Sequence, residues 1–255
     1  MSEPATAAIS ATDLSIRFGG HVAVNNVSCQ FYDGKLTAIL GPNGAGKTTF
    51  FNLLSGQLAP TSGQIHFYGK DITRYSVSHR AKIGVGRAFQ LTNLFPKLST
   101  FENVRLAVQA RGNLGFDMAR LSVDLPGVNE QAEFYLEKVA LLSKGDLDVR
   151  SLSHGDQRKL EVAMLLALEP KVFMFDEPTA GMTIDEVPII VELIQAIKQT
   201  EGRAILLVEH KMDIIKTLAD RIVIFHNGEV IADGDPNEVM SMPIVQDVYL
   251  GRALA

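Results

Sequence analysis

The sequence is poor in cysteine and has no excess of basic residues, and each shortage excludes a class of protein. Its 255 residues include one cysteine, Cys29, which excludes an intrachain disulfide framework and favours a reducing compartment. The chain has 24 Lys and Arg residues against 29 Asp and Glu residues, a formal net charge of −5. This acidic balance argues against a dedicated nucleic-acid binder, which is usually strongly basic.

Long apolar segments are absent as well. The longest unbroken apolar run, residues 162–168, has seven residues, whereas a helix needs about 18 to span a bilayer. The first ten residues contain no basic segment followed by an apolar one, so we expect no secretory signal. These absences favour a soluble intracellular protein. If such a chain works at a membrane, a partner supplies the membrane-spanning part.

The order of apolar segments predicts an α/β fold. With 46% apolar residues, the chain can form a packed core, which excludes wholesale disorder. Strands that are apolar on both faces and alternate with helices are typical of a parallel sheet buried on both sides. Residues 90–168 are mostly helix-patterned, which indicates a helical insert. Strands are expected at residues 14–18, 22–31, 36–40, 65–68, 172–175, 204–208 and 221–225, and helices from residue 47, at 185–198 and at 212–219.

A glycine-rich loop provides the strongest functional signal. Residues 41–48 read Gly-Pro-Asn-Gly-Ala-Gly-Lys-Thr and match the pattern G-x-x-x-x-G-K-[ST], in which Lys47 reaches the β- and γ-phosphates and Thr48 holds Mg²⁺. The glycines let backbone N–H groups converge on phosphate oxygens at a helix start. An accidental glycine-rich turn is disfavoured by the strand before the loop and the helix after it. The expected nucleotide-binding residues are Gly41, Asn43, Gly44, Ala45, Gly46, Lys47, Thr48 and Thr49.

Two acids at the end of an apolar strand form the second signal. Residues 172–177 read Val-Phe-Met-Phe-Asp-Glu, which places Asp176 at the sheet edge where ligands bind in open α/β folds. Asp176 is expected to bind nucleotide and Mg²⁺, and Glu177 to orient or deprotonate the attacking water. Two solvated acids opening a loop are the alternative, which the phosphate loop upstream disfavours.

The third signal is a helix start at residues 151–157, Ser-Leu-Ser-His-Gly-Asp-Gln. Ser153 is expected to be its N-cap, and the backbone N–H groups behind it would make another anion site. Taken alone, this segment is better explained as an ordinary capped helix.

Together and in this order, residues 41–48, 152–157 and 176–179 make the chain resemble the ATP-binding cassette (ABC) ATPases, over about residues 11–251. The resemblance implies a P-loop NTPase (RecA-like) parallel-sheet core, an antiparallel β-subdomain and an inserted α-helical subdomain, with ATP and Mg²⁺ as cofactors. It divides the chain into a flexible leader (1–10), the β-subdomain with the first part of the core (11–89), the helical subdomain (90–168), and the rest of the core with a C-terminal tail (169–255).

The resemblance assigns further site residues. Phe18 matches the aromatic residue that stacks on adenine, although tyrosine is commoner there, and Gln90 matches the glutamine that contacts Mg²⁺ and the attacking water. His210 matches the switch histidine that senses the γ-phosphate. For each residue taken alone, the alternative is one without a role in the site: a surface aromatic for Phe18, an ordinary glutamine for Gln90 and an ordinary loop histidine for His210. The expected catalytic residues are Glu177, His210 and Gln90, and the expected metal ligands are Thr48, Gln90 and Asp176.

The helix-start segment departs from the usual signature Leu-Ser-Gly-Gly-Gln, because His154 replaces the first glycine and Asp156 the glutamine. Ser153 and Gly155, the positions expected to touch a γ-phosphate, are intact. An acid pointing at a triphosphate would be unfavourable, so we expect Asp156 to face away. In the family this signature acts on the nucleotide held by a partner's phosphate loop, so two composite sites require a head-to-tail dimer.

The segment 183–185 falls where the family has a loop at the dimer interface. Asp185 is its expected functional residue, with an ordinary helix start as the alternative. Leu91, Leu94 and Phe95 fall where the family forms a groove for a short permease helix, with packing inside the helical subdomain as their alternative.

Four segments resemble the ATPase subunits of branched-chain amino-acid importers and their urea and short-chain-amide relatives: residues 86–90, 180–182, 208–213 and 249–251. This implies two permease subunits, a second ATPase (a paralogue or the same chain), an indirectly acting periplasmic solute-binding protein and no nucleic acid. The chain would lie at the cytoplasmic face of the inner membrane, held there by the permease.

Three other functions stay open at this point. An enzyme phosphorylating a small molecule would leave residues 152–157 and Gln90 unexplained. A cassette ATPase acting on nucleic acid or ribosomes typically has two cassettes, long insertions or basic patches, none of which is present. An exporter ATPase, such as one for lipopolysaccharide extraction, keeps the same motifs. The sequence does not name the transported solute.

Overall fold

A computed structural model describes residues 6–88, 94–112 and 127–250 of the protein. Its strands are β1 (Ile9–Phe18), β2 (His21–Phe31), β3 (Leu36–Leu40), β4 (Ser62–Phe67), β5 (Lys70–Asp71), β6 (Val85–Ala88), β7 (Val172–Asp176), β8 (Ala204–Val208), β9 (Arg221–His226) and β10 (Glu229–Gly234). Its α-helices are α1 (Lys47–Ser55), α2 (Val77–Ile83), α3 (Thr100–Arg111), α4 (Val128–Lys138), α5 (His154–Ala167), α6 (Val187–Lys198), α7 (Met212–Leu218), α8 (Pro236–Ser241) and α9 (Pro243–Leu250). No helix within these ranges has the length and apolar character needed to cross a membrane.

The central sheet has six strands in the order β10-β9-β3-β8-β7-β6. Five of them run parallel, and β10 pairs antiparallel with β9. Every residue of β3, β7 and β8 is buried, which explains their unbroken apolar sequences. The predicted parallel sheet is confirmed. Because β3 and β7 flank β8 and run in the same direction, the loops that follow all three strands open at one edge of the sheet.

A second sheet of four strands, in the order β2-β1-β4-β5, is antiparallel. Helix α1 lies between the two sheets. The ring of Phe50 on α1 is 6.3 Å from Phe31 of the antiparallel sheet and 5.1 Å from Phe225 of the central sheet, centroid to centroid. All three rings are fully buried, so the helix that follows the glycine-rich loop is held from both sides.

Strand β1 begins at Ile9, so the predicted leader at residues 1–10 extends too far. Ile9 is fully buried, and the N–H of Ala8 donates a hydrogen bond to the carbonyl of Phe31 at 2.8 Å. The small and polar residues around Ile9 weaken the period-two pattern that identifies a strand. Pairing with β2 and β4, which the sequence alone does not display, extends the strand toward the N-terminus.

Three helices, α3, α4 and α5, lie in the described part of the predicted insert. One residue from each, Val104, Leu136 and Leu160, is fully buried in a shared apolar core. That core also contains Phe173 and Phe175 of β7, so the helical part packs directly on the central sheet. The predicted start of the insert at residue 90 lies outside the described residues.

Candidate nucleotide-binding and hydrolysis site

The glycine-rich loop joins the end of β3 to the start of α1, and two of its glycines have no room for a side chain. A Cβ on Gly41 would lie 2.1 Å from the carbonyl oxygen of Phe225, and one on Gly46 would lie 2.5 Å from that of Ala23. Both residues also have positive φ angles, 144° and 100°, which other residues rarely adopt. The curl of the loop therefore depends on glycine at these two positions.

Lys47 begins α1 and folds back into this curl. Its Nζ donates hydrogen bonds to the carbonyl oxygens of Gly41 at 2.7 Å and Pro42 at 2.9 Å. Burial lowers the pKa of Lys47, while the carboxylates of Glu177 and Asp176 oppose that shift. The loop thus holds a cation beside backbone N–H groups, an arrangement suited to phosphate oxygens.

Asp176 ends β7 in a fully buried ion pair. Arg87 on the neighbouring strand β6 donates from Nη2 to Asp176 Oδ2 at 2.7 Å, and the two side chains are 4% and 0% exposed. The other guanidinium nitrogen, Nη1, donates to Asn52 at 2.6 Å and Ser55 at 3.2 Å on α1. Arg87 therefore ties the acid at the end of β7 to the helix that follows the glycine-rich loop.

The second oxygen of Asp176, Oδ1, is buried and has no hydrogen-bond partner among the described residues. An unpaired buried carboxylate oxygen is costly in a folded protein. A carboxylate oxygen is also the ligand that Mg²⁺ prefers. The residues therefore fit a divalent cation bound on this side of Asp176.

Glu177 and His210 follow the adjacent strands β7 and β8, and their side chains meet. His210 Nε2 lies 3.0 Å from Glu177 Oε1, within hydrogen-bonding distance. Glu177 has a φ of +52°, which is uncommon for a residue with a side chain, and its N–H donates to the carbonyl of Val208 at 2.9 Å. The structure thus brings together two of the three expected catalytic residues.

Glu209, which the sequence analysis did not single out, holds these two loops together. Its buried carboxylate accepts hydrogen bonds from the N–H and the hydroxyl of Thr179, in the loop after β7. It also accepts from the N–H groups of His210 at 2.9 Å and Lys211 at 3.3 Å. The available signal was an acid directly after an apolar strand, the same pattern that identifies Asp176.

The segment at the start of α5 has the expected cap. Ser153 accepts a hydrogen bond on its hydroxyl from the N–H of Asp156 at 3.1 Å. The carboxylate of Asp156 is buried and paired with Lys144 and Lys159, so it faces into the protein. Within the described chain, Ser153 and Gly155 form no hydrogen bond to the glycine-rich loop.

The remaining predicted residues occupy varied positions. Phe18 ends β1 with 49% of its surface exposed, which leaves its ring available for stacking. Asn43 and Gly44 are exposed, and Thr48 and Thr49 are half-buried at the start of α1. Gln90 lies outside the described residues.

The residues expected to face a partner differ in burial, and one of them, Leu91, lies outside the described residues. Leu94 is buried in the core shared by α3, α4 and α5, which supports its alternative as a packing residue, whereas Phe95 is exposed. In the loop before α6, Asp185 is exposed, and Glu186 forms the contacts instead. No sequence pattern identified Glu186, because its partners are Lys159, 27 positions away, and Thr183 on its own turn.

Known protein families and curated proteins match this chain. A family model described as ABC transporter matches residues 24–180, and one described as branched-chain amino acid ATP-binding cassette transporter matches residues 229–255. The high-affinity branched-chain amino acid transport ATP-binding protein LivG of Escherichia coli (strain K12) is 34% identical over 260 residues, covering 99% of this chain and 100% of LivG. The lipopolysaccharide export system ATP-binding protein LptB of Acidithiobacillus ferridurans is 34% identical over 230 residues, covering 90% of this chain and 91% of LptB.

Solved structures agree with these matches. A crystal structure of a nucleotide-free ATP-binding cassette from an ABC transporter superposes with a TM-score of 0.82 at 26% identity, covering 95% of this chain and 98% of that one. The family model spans more than half of the chain and contains the glycine-rich loop, the helix-start segment and both acids. The chain therefore belongs to the ATP-binding cassette transporter family and is one of its nucleotide-binding ATPases.

Proposed function

We propose that this chain powers the uptake of branched-chain amino acids, or of a related small polar solute such as urea or a short-chain amide, across the cytoplasmic membrane. The match of residues 229–255 to the branched-chain family model carries the proposal. The ATPase core alone does not decide between transport directions, since LivG and LptB are both 34% identical to this chain.

The glycine-rich loop binds the phosphates of ATP. Its N–H groups and the ammonium of Lys47 neutralise charge on the β- and γ-phosphates, and Phe18 stacks on the adenine ring. Asn43, Thr48 and Thr49 complete the nucleotide contacts. Lys47 exchanges its two carbonyl partners for phosphate oxygens when ATP enters.

Mg²⁺ fits the oxygen ligands at this site. Thr48, Gln90 and the free oxygen of Asp176 would hold it, and when bound it would supply positive charge beside the transferring phosphoryl group. Arg87 keeps the other oxygen of Asp176 occupied, so the carboxylate presents Oδ1 in a fixed direction.

Glu177 acts on the attacking water. It orients the water in line with the γ-phosphorus and accepts its proton as the new oxygen–phosphorus bond forms and the bond to the β–γ bridging oxygen breaks. His210, at hydrogen-bonding distance from Glu177, orients that carboxylate and senses the γ-phosphate. Glu209 fixes the loops that carry both residues.

The composite site needs a second cassette. Ser153 and Gly155 contact the γ-phosphate of nucleotide bound to the other ATPase of a head-to-tail dimer, which accounts for their having no hydrogen bond to this chain's own glycine-rich loop among the described residues. Two ATP molecules close the dimer because their phosphates bind both chains only in the closed state. The division of the chain at residues 89 and 168 belongs to this proposal, with the helical part moving against the core.

The transport partners are two permease subunits, a second ATPase that is a paralogue or the same chain, and a periplasmic solute-binding protein that acts through the permeases. The chain sits peripherally on the cytoplasmic face of the inner membrane and has no nucleic-acid partner. Exposed Phe95 contributes to the surface that meets a permease.

A mild-detergent pull-down from the native cell, with the co-purified chains identified by mass spectrometry, tests the proposal. Two permeases and a second, similar ATPase support an importer, and an associated solute-binding protein narrows the solute class. A lipopolysaccharide-extracting permease contradicts the transport direction. Co-purification of ribosomal proteins without any membrane protein contradicts a role in transport and leaves the proposed ATPase chemistry unaffected.

A further inference from the structure

Four charged side chains of alternating sign connect the first turn of α5 to the loop before α6. The ammonium of Lys144 bonds to Asp156 Oδ2, and Lys159 Nζ lies 3.4 Å from Asp156 Oδ1. The same Nζ donates to Glu186 Oε1 at 3.0 Å. The side chains of Asp156 and Lys159 are only 7% and 8% exposed, and removing one member of such a buried set leaves an uncompensated charge.

The carboxylate of Glu186 is held from a second side. Its Oε2 accepts hydrogen bonds from the N–H and the hydroxyl of Thr183, both at 3.0 Å, and its own N–H donates to the carbonyl of Thr183 at 3.1 Å. The bonds from Thr183 and Lys159 lower the pKa of Glu186, so it is ionised at neutral pH. The loop therefore closes as a tight turn around one fixed negative charge.

This carboxylate fills the space where residue 155 would carry a side chain. A Cβ on Gly155 would lie 2.5 Å from Glu186 Oε2 and 2.7 Å from Oε1. Gly155 lies in the first turn of α5 and does not have a positive φ angle, so its backbone conformation does not require glycine. A side chain at position 155 would instead displace the Glu186 carboxylate from the place where Lys159 and Thr183 hold it.

We propose that Glu186, held by Lys159, is a positioning residue that fixes the segment Ser153–Gly155 against the loop leading away from Glu177. The inference rests on the proposed dimeric ATPase. In that dimer, the segment Ser153–Gly155 faces the nucleotide of the other chain. The loop joined to it by Glu186 begins at Glu177, the proposed base for this chain's own nucleotide.

The same network explains the unusual signature. The carboxylate of Asp156 pairs with both Lys144 and Lys159. A neutral glutamine at this position would not compensate the positive charge of either lysine. Asp156 thereby holds Lys159 in the position from which its ammonium bonds to Glu186.

Glu186→Gln tests the proposal, because it keeps the shape of the side chain and removes its charge. The control is Glu192→Gln, which makes the same change at an exposed position of α6. Both variants are made in the Glu177→Gln background. ATP-dependent dimerisation is measured by analytical ultracentrifugation, with the ATPase that co-purifies from the native cell as the partner, or with the chain itself if no second ATPase is found. Fluorescent mant-ATP, added to dilute monomer, reports the affinity of the chain's own site.

We expect Glu186→Gln to weaken ATP-dependent dimerisation by about tenfold, a typical coupling between sites, while mant-ATP affinity equals that of the control. Lys159→Met should reproduce the loss, and Lys159→Arg, which keeps a charge able to reach Glu186, should restore dimerisation. This split separates positioning from a general loss of folding, which would weaken both measurements together.

Two results would overturn the inference alone. One is dimerisation of the Glu186→Gln chain as tight as that of the control, and the other is an equal loss of dimerisation and of mant-ATP affinity. A Glu177→Gln parent that binds no ATP or never dimerises overturns the proposed function, and the inference with it. The parent protein therefore distinguishes the two failures.

Discussion

His210 Nε2 lies 3.0 Å from Glu177 Oε1, although the two residues are 33 positions apart in the chain. The contact exists because β7 and β8 are adjacent parallel strands whose carboxyl ends lie at the same sheet edge. Glu209 fixes the geometry by accepting hydrogen bonds from both following loops. Glu177 and His210 therefore meet at the sheet edge that also carries the glycine-rich loop, as the proposed hydrolysis requires.

Replacing Glu177 with glutamine should nearly abolish ATP turnover and preserve nucleotide binding. The amide cannot accept the proton of the attacking water, and loss of a general base costs about 10²–10⁴-fold in rate. The chain should then accumulate as an ATP-bound dimer. Phosphate release and size-exclusion chromatography with MgATP measure the two effects, and undiminished hydrolysis would remove Glu177 from the proposed role.

Replacing Lys47 with alanine should weaken ATP binding. The ammonium makes charge-assisted hydrogen bonds to phosphate, each worth about 1.5–3 kcal/mol, which corresponds to a loss of affinity of about tenfold or more. Titration with mant-ATP measures the dissociation constant. Lys82→Ala, at an exposed position of α2, is the matched control, and equal affinities of the two variants would contradict the phosphate-loop assignment.

Arg87→Met should strongly lower the free energy of unfolding. It leaves the buried carboxylate of Asp176 without its salt-bridge partner, and breaking a buried pair in this way costs about 3–5 kcal/mol. The control, Arg105→Met, removes a surface pair with Glu102 on one face of α3, worth about 0.3–0.5 kcal/mol. Urea unfolding of both variants gives the comparison, and similar midpoints would show that Asp176 does not depend on Arg87.

The thiol of Cys29 should make stability fall as pH rises above 9. Burial raises its pKa from 9.0 to about 12, with Asp233 adding to the shift and Arg221 opposing it. Above pH 9 the unfolded chain has released this proton while the folded chain keeps it, so the unfolded state binds fewer protons and unfolding becomes easier. The contribution is fully present below pH 9 and is lost as pH approaches 12.

Urea unfolding at several pH values above 9 measures this effect. Cys29→Ala should show a shallower decline than the parent chain, since other groups titrate equally in both. Iodoacetamide should label the native thiol far more slowly than the unfolded one, because only the thiolate reacts. Equal slopes for the two chains, or rapid native labelling, would contradict a buried thiol with a raised pKa.

Some elements were predictable because their signal is local. The runs at residues 36–40, 172–175 and 204–208 are apolar on both faces, and β3, β7 and β8 follow them closely. Strand β6 was missed, because Gly86 and Arg87 interrupt its apolar pattern. A side chain at Gly86 would clash with Pro170 and Leu165, which pack against the strand. The charge of Arg87 is compensated by its ion pair with Asp176.

By itself, the sequence determined the glycine-rich loop, the acid pair after β7, the cap at Ser153 and the parallel sheet, since backbone geometry and burial impose these patterns on neighbouring residues. Only the tertiary structure decided which charges meet. Arg87 and Asp176 are 89 positions apart, and Lys159 and Glu186 are 27 apart. Such pairs form where strand order and helix packing bring distant segments together, and no local periodicity encodes that proximity.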